Sequence, residues 1–530
     1  MKIHKIFYDA IPSLAERDKA YIAEAPDLRP FYKYPVHLES FEQVMQDKMK
    51  DKTNRATLVS VLDSQYEGRT ASAATRQNIA SLIDDHTFTI VTAHQPCLFT
   101  GPLYYIYKII SAINLAETLR QRYPGFKFVP VFITGGEDHD FEEVNHLHLF
   151  DKTLIWESRE SGAVGLMKTN SLQPVLAELK EILGTNENAT RIYDLIERTH
   201  TQHELYGDAV CDFVGELFNE QGLVVLNMYD PALKQLFKPI IKAEIFEQSS
   251  HHLVRETIGQ LAKAGYSSQA VPREINFFYL QEQLRERIVF EDGRYQVLNS
   301  SLSFNKKEME EEIDRHPERF SPNVIMRPLF QELILPNLAY IGGGGELAYW
   351  LERKSQFEHF GLNFPMLIRR NSALWMDGGT AKRMRKLGLE PEELWEDTET
   401  LIKNYLHKNA ASEFQLPAEK QQLETIFQAI AEKTKAVDAS LVKAVLAEHA
   451  RVSNSLSALE TRLTRAEKQK HDNALQQIRS LKEKLFPGNG LQERHDNFLP
   501  FYLRYGEDFF KQLFENLHPL EKKFVVLEEA

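Results

Sequence analysis

Cysteine is almost absent from this sequence. Only Cys97 and Cys211 occur in 530 residues. Two thiols make neither a disulfide framework nor a cysteine-rich zinc site, and such scarcity points to a reducing cytoplasm. Long apolar runs are missing too. No stretch of about 18 apolar residues occurs, so no transmembrane helix is expected. The segment Met1–Asp9 meets an acidic residue too early for a signal peptide. Positive charge is in deficit, with 63 Lys and Arg against 76 Asp and Glu and a net charge of −13. That balance excludes broad binding to nucleic acid or to anionic membranes, while leaving room for a local basic pocket.

Proline and glycine both vanish between Pro417 and Pro487. Apolar residues there follow a 4-3-4-3 spacing through Val452, Leu456, Leu459, Leu463 and Ala466, then Ala474, Ile478, Leu481 and Leu485. This is a coiled-coil seam. A first helix near 418–436 carries Leu423, Ile426 and Ile430, and Asp438 or Ser440 suits the start of a second, longer helix. The pattern predicts an antiparallel helical hairpin that ends at Pro487-Gly488-Asn489-Gly490.

What the chain does contain is an ordinary globular composition, 43% hydrophobic and 26% charged, at a length that calls for two or three domains. Residues 1–80 read as a mostly helical lead-in. The run Thr87–Val91, a polar turn, an apolar helix from Ile109 and the run Phe126–Ile133 form a strand–helix–strand unit, which implies a parallel pair. A further strand is expected at 223–228, with helices over 173–220 and 232–264. Strand-like pieces at 277–280, 287–290 and 295–298 suggest a hairpin about Gly293. The expected domains are a core over 1–380 with connecting segments inserted at about 151–220 and 265–320, a helical coiled coil over 381–490, and an aromatic tail over 491–530 that returns to the core.

Three blocks carry chemistry. The first is the turn after the first strand, with His94, Gln95, Cys97, Gly101 and, one helical turn on, Lys108. Ligands of open α/β sheets bind at such strand ends. His94 suits donation to a phosphate or carboxylate oxygen, or acid–base work, and Lys108 adds positive charge. Cys97, followed directly by Leu98 and Phe99, reads as a small buried residue rather than a nucleophile. The second block is Gly135–His146, in which Glu137, Asp138, His139 and Asp140 exceed what a helix start needs. These side chains suit an amine substrate, a general base or Mg²⁺. The spacing of His139 and His146 is not that of a zinc helix. The third block, Tyr340–Trp350, has Gly342, Gly343, Gly344 and Gly345 opening a helix, followed by Glu346 and Tyr349. No Lys-Ser/Thr follows the glycines, so this is not a Walker loop, but bare backbone there admits a ligand closely. Arg327, Gln331 and Arg370 add candidates, since guanidinium forks suit carboxylate or phosphate.

Together these blocks resemble the bacillithiol biosynthesis cysteine-adding enzyme family, BshC. The resemblance rests on His94-Gln95-Pro96 with Gly101–Tyr104 and Tyr107-Lys108, on Gly136–Glu143 with Asn145-His146, on Arg327-Pro328 with Gln331, and on Gly342–Glu346 with Tyr349-Trp350. Pro272-Arg273-Glu274, Asn276–Tyr279 and Leu491–Arg494 add to it. It implies a Rossmann-like α/β core with inserted connecting segments and a C-terminal antiparallel coiled coil. It also implies a ligase that joins cysteine to the amine of glucosaminyl malate, in a homodimer to which the coiled coil contributes. Amide formation demands an activated carboxylate, which points to ATP with Mg²⁺. The expected catalytic set is Glu137, Asp138, His139 and Asp140. His94, Gln95, Gly101, Lys108, Asn145, His146, Arg327, Gln331, Gly342 to Gly345, Glu346, Tyr349 and Arg370 are expected to bind substrate or nucleotide. A nucleotidyltransferase acting on a small acid or sugar is the alternative.

Overall fold

The computed structural model describes residues 1–409 and 416–529. The chain divides into two compact units. The larger comprises Lys5–Leu374 and Gly490–Val526, and the smaller comprises Met1–His4, Trp375–Asn489 and Leu527–Ala530.

The larger unit is built on five parallel strands: β1 (Thr87–His94), β2 (Lys127–Thr134), β3 (Val224–Asn227), β4 (Asn337–Gly342) and β5 (Met366–Arg369). Their spatial order is β5-β4-β1-β2-β3, with every pairing parallel. The strands read as continuous apolar runs because both faces are covered, and nearly every residue in them is buried. Helix α1 (Tyr104–Arg122) makes the crossover from β1 to β2 and is buried along most of its length. The order in which strands are added reverses between β1 and β4, so the loops after those strands diverge and leave a crevice at their carboxyl ends.

The hairpin expected about Gly293 is part of a larger element. Phe277–Gln281, Leu284–Glu291, Arg294–Val297, Ser303–Phe304 and Phe320–Pro322 form a five-stranded antiparallel sheet. One of its turns places Gln283 at φ +59°, a left-handed position held by a residue that gives little turn signal. The second chemical block opens only a single helical turn, Phe141–Val144. The chain then enters a short hairpin, His146–Leu149 with Lys152–Ile155.

In the smaller unit, α2 (Pro417–Val437) and α3 (Val442–Lys470) run antiparallel. Lys420 pairs with Glu460 at 2.5 Å near one end, and the Phe427 and His449 rings meet nearer the other. Asp438 accepts from the Ser440 N–H at the bend, as its place before the helix suggests. The expected long second helix is interrupted. It breaks at His471, and α4 (Asp472–Leu485) buries Leu475, Ile478, Leu481 and Leu485 separately. No helix among the described residues is long and apolar enough to cross a membrane.

Candidate active site

A cleft of about 600 Å³ opens at the carboxyl edge of the parallel sheet, and residues that end or follow all five strands line it. The antiparallel sheet adds Arg285, the segment before α-helical Pro328 adds Asn323 and Arg327, and the returning tail adds Arg494.

The turn after β1 is held from within. His94 Nδ1 lies 3.3 Å from the Gln95 carbonyl, which can only accept, so Nδ1 carries the proton and Nε2 accepts from the Tyr104 hydroxyl at 3.0 Å. Burial, reinforced by the Lys108 charge, pulls the imidazole down to about 3. His94 is therefore neutral, and the acid role expected of it is corrected. Burial likewise pushes the Cys97 thiol up to about 12, which fits a packed residue rather than a nucleophile. Gly101 has φ +58°, and a Cβ there would lie 2.9 Å from that of Cys97, so this glycine serves the turn and does not line the cleft.

Lys108 does not line the cleft. Its ammonium is fully buried and donates to both Glu346 oxygens, at 2.8 and 2.7 Å, and to the Ala93 carbonyl. Glu346 also accepts from the Tyr340 hydroxyl at 2.6 Å and from the Gly343 N–H at 2.9 Å. Burial alone raises a carboxyl, but here the Lys108 charge and these donors win and hold Glu346 at about 2. The glycine loop is therefore organised by the protein's own anions. A Cβ at Gly344 would lie 2.4 Å from Asp18 Oδ2, and one at Gly342 would crowd Tyr340, Glu346 and Leu347. Gly343 and Gly345 reach the cleft; Gly342 and Gly344 do not.

The acidic block is equally committed. Glu137 Oε1 lies 2.5 Å from the buried Lys234 ammonium, and its Oε2 accepts from Ser321 at 3.2 Å. Asp138 Oδ1 accepts from the His139 N–H at 2.8 Å and from Arg285 at 3.3 Å, while Oδ2 accepts from Gln95 Nε2 at 2.9 Å. Arg285 also donates to His139 Nδ1 at 2.5 Å. A guanidinium only donates, so Nδ1 holds a lone pair that is already taken. His139 and Asp140 lie outside the cleft lining. Ligand atoms of Asp138, His139 and Asp140 lie within 4.8 Å of one another, the reach of a divalent cation, but Arg285 already neutralises part of that cluster.

Asn145 donates to the Trp156 carbonyl at 3.3 Å, and His146 opens the short hairpin; both hold local structure. Gln331 is buried and donates to Glu332 at 2.8 Å, away from the cleft. Arg370 does line the cleft, with its charge matched by buried Glu493 at 2.7 Å. Arg327 donates to the Tyr349 hydroxyl at 2.8 Å and has no carboxylate partner among the described residues. Arg494 is exposed at the mouth, 6.0 Å from the Tyr104 ring, and likewise has none.

The structure thus gathers His94, Gln95, Glu137, Asp138, Arg327, Gly343, Gly345, Glu346, Tyr349 and Arg370 around one cleft, and leaves Gly101, Lys108, His139, Asp140, Asn145, His146, Gln331, Gly342 and Gly344 behind or beside it. Lys234 and Arg285 were missed. One lies on an ordinary helix and the other on a strand of alternating charge, so neither gives a local signal.

Comparison with known proteins adds to this geometry. Residues 1–371 match the family model described as bacillithiol biosynthesis BshC, N-terminal Rossmann-like domain, and residues 373–529 match the corresponding C-terminal coiled-coil domain. A Flavobacterium johnsoniae protein named "Putative cysteine ligase BshC" is 42% identical over 509 residues, covering 96% of each chain. Proteins of the same name from Christiangramia forsetii and Bacillus cereus are 41% and 29% identical, with 96% and 94% of this chain and 95% of each relative covered. Both domains of the family follow one another along almost the whole sequence, and the chain belongs to the bacillithiol-biosynthesis BshC family.

Proposed function

We propose that this protein is a cysteine ligase that forms the amide between the carboxylate of cysteine and the amine of glucosaminyl malate. One observation carries the reading beyond the relatives' names: one cleft is lined both by Arg327 and Arg494, which pair with no carboxylate among the described residues, and by the carboxylates Glu137, Asp138 and Glu143. The cationic side suits carboxylates and phosphates bidentately, and the acidic side suits an ammonium.

A free carboxylate is a poor electrophile because oxide is a poor leaving group. ATP with Mg²⁺, when bound, supplies the phosphate-type leaving group that this chemistry needs. Arg327, Arg494 and the open backbone at Gly345, where a Cβ would meet nothing within 4 Å, would hold its phosphates. The protein's own contribution is positioning. Neutral His94 and Tyr104 keep the turn rigid, and the pair of Lys108 with Glu346 fixes the glycine loop beneath the ligand. The reading includes a cytoplasmic setting and a homodimer. Exposed Ile426, Ile430, Leu446, Leu459 and Leu463 on α2 and α3 support pairing with a second copy.

The test is to mix the purified protein with cysteine and glucosaminyl malate, with and without Mg-ATP, and to search for the amide by mass spectrometry. Product that depends on ATP supports the reading. Pyrophosphate release without amide would transfer support to a nucleotidyltransferase.

A further inference from the structure

Among the described residues, four carboxylates line the cleft: Glu137, Asp138, Glu143 and Glu346. Three of them have a cation of their own. Glu137 pairs with Lys234, Asp138 with Arg285 and Glu346 with Lys108. Glu143 has none. It is exposed, and its one side-chain hydrogen-bond partner among the described residues is the Gln95 amide, which donates from Nε2 to Glu143 Oε2 at 3.2 Å and to Asp138 Oδ2 at 2.9 Å. Two carboxylates thus converge on a single nitrogen. Because both can only accept, the nitrogen of Gln95, not its oxygen, must face them. This is the coordination an ammonium seeks, and Glu143 is the member of the pair that has no ion-pair partner among the described residues.

We propose that Glu143, rather than the four-residue run before it, binds the ammonium of the acceptor substrate and takes its proton as the amide forms. The proposal rests on the ligase reading above. The acceptor enters as an ammonium paired to Glu143 and gives up one proton to solvent. The freed lone pair attacks the carbonyl carbon of a cysteine activated by a nucleoside triphosphate. The C–N bond forms, and the bond from that carbon to the phosphate-type leaving group breaks, with its electron pair leaving on oxygen. The second nitrogen proton passes to the Glu143 carboxylate and then to solvent. Glu137 and Asp138 are less available for that step, since each already pairs with a cation of the protein, Lys234 and Arg285.

The test compares the wild-type protein with Glu143→Gln and Glu143→Asp in two assays. In the first, calorimetry measures binding of glucosaminyl malate and of its analogue with a hydroxyl in place of the amine. Wild type is expected to favour the amine, and Glu143→Gln to lose at least about tenfold of that preference while binding the hydroxyl analogue as before. In the second, amide formation is expected to fall on the order of 10²-fold or more in kcat for Glu143→Gln, the usual worth of a general base, with part recovered in Glu143→Asp. The side chain is exposed, so both variants are expected to melt with the wild type. Wild-type activity with unchanged preference and kcat in Glu143→Gln overturns the proposal and leaves the ligase reading standing. No amide from wild type overturns the ligase reading itself.

Discussion

Replacing Lys108 with methionine tests whether the glycine loop is held by charge. The ammonium is fully buried, and both Glu346 oxygens sit within 2.8 Å of it. Methionine keeps the length and apolar stem but leaves the carboxylate with only Tyr340 and the Gly343 N–H. Breaking a buried pair from one side costs about 3–5 kcal/mol, because the remaining charge is uncompensated. The two surviving donors place Lys108→Met near the lower figure. Adding Glu346→Gln removes the stranded charge; its amide oxygen can accept from the Gly343 N–H while its NH2 donates to the Tyr340 hydroxyl oxygen, so the double variant is expected to be more stable than Lys108→Met alone. The pH dependence has a defined sign. Glu346 is held at about 2, below the ordinary carboxyl value, so its favourable contribution is present above the unfolded value and fades as pH falls toward 2. The stability gap between wild type and Lys108→Met should therefore narrow below about pH 4.5. Urea unfolding of the full chain measures this, with the larger unit's transition assigned by hydrogen exchange in β1 and β4. A Lys108→Met protein within 1 kcal/mol of wild type at neutral pH, or a double variant that merely sums two losses, refutes the reasoning.

Other outcomes follow from the same geometry. His94 is held at about 3, so the native state refuses a proton that the unfolded chain takes below about pH 6.5; at pH 5 this costs about 2 kcal/mol, and His94→Asn should flatten the acid limb of the urea midpoint against pH by that amount. Cys97 and Cys211 are both buried, so a thiol reagent at pH 7.5 should label neither in the native protein and both in urea, and Cys97→Ala should keep amide-forming activity. Arg494→Ala should weaken binding of anionic substrate or nucleotide by about tenfold in calorimetry without changing the unfolding midpoint, because this guanidinium pairs with no carboxylate among the described residues. Gly101→Ala should destabilise by at least about 1 kcal/mol, since φ is +58° and the new Cβ meets Cys97.

Much of the framework was legible because it is local. The run Thr87–Val91 has the unbroken apolar character of a doubly covered parallel strand, and Gly101 marks the turn before α1. The polar blocks at 94–108, 135–146 and 342–346 stand at strand ends, where the reversal of order between β1 and β4 opens the sheet. What was not legible is pairwise and distant. Nothing near Lys108 in sequence shows that its charge is spent on Glu346, 238 residues away. Lys234 and Arg285 reach the acidic block from 97 and 147 residues away, counted from Glu137 and Asp138 respectively. The break at His471 also escaped, because Gln469, Lys470, His471 and Asp472 all suit an exposed helix face and no proline or glycine marks it.

The central claim is that this cleft joins an activated cysteine carboxylate to an amine. The measurement that tests it most directly uses cysteine labelled with ¹⁸O in both carboxylate oxygens, incubated with glucosaminyl malate and Mg-ATP, followed by mass spectrometry of every product. The account predicts an amide that keeps one labelled oxygen, with the other carried on the phosphate or nucleotide released. Folded protein that yields no amide, or an amide whose lost label appears only in water, would contradict it.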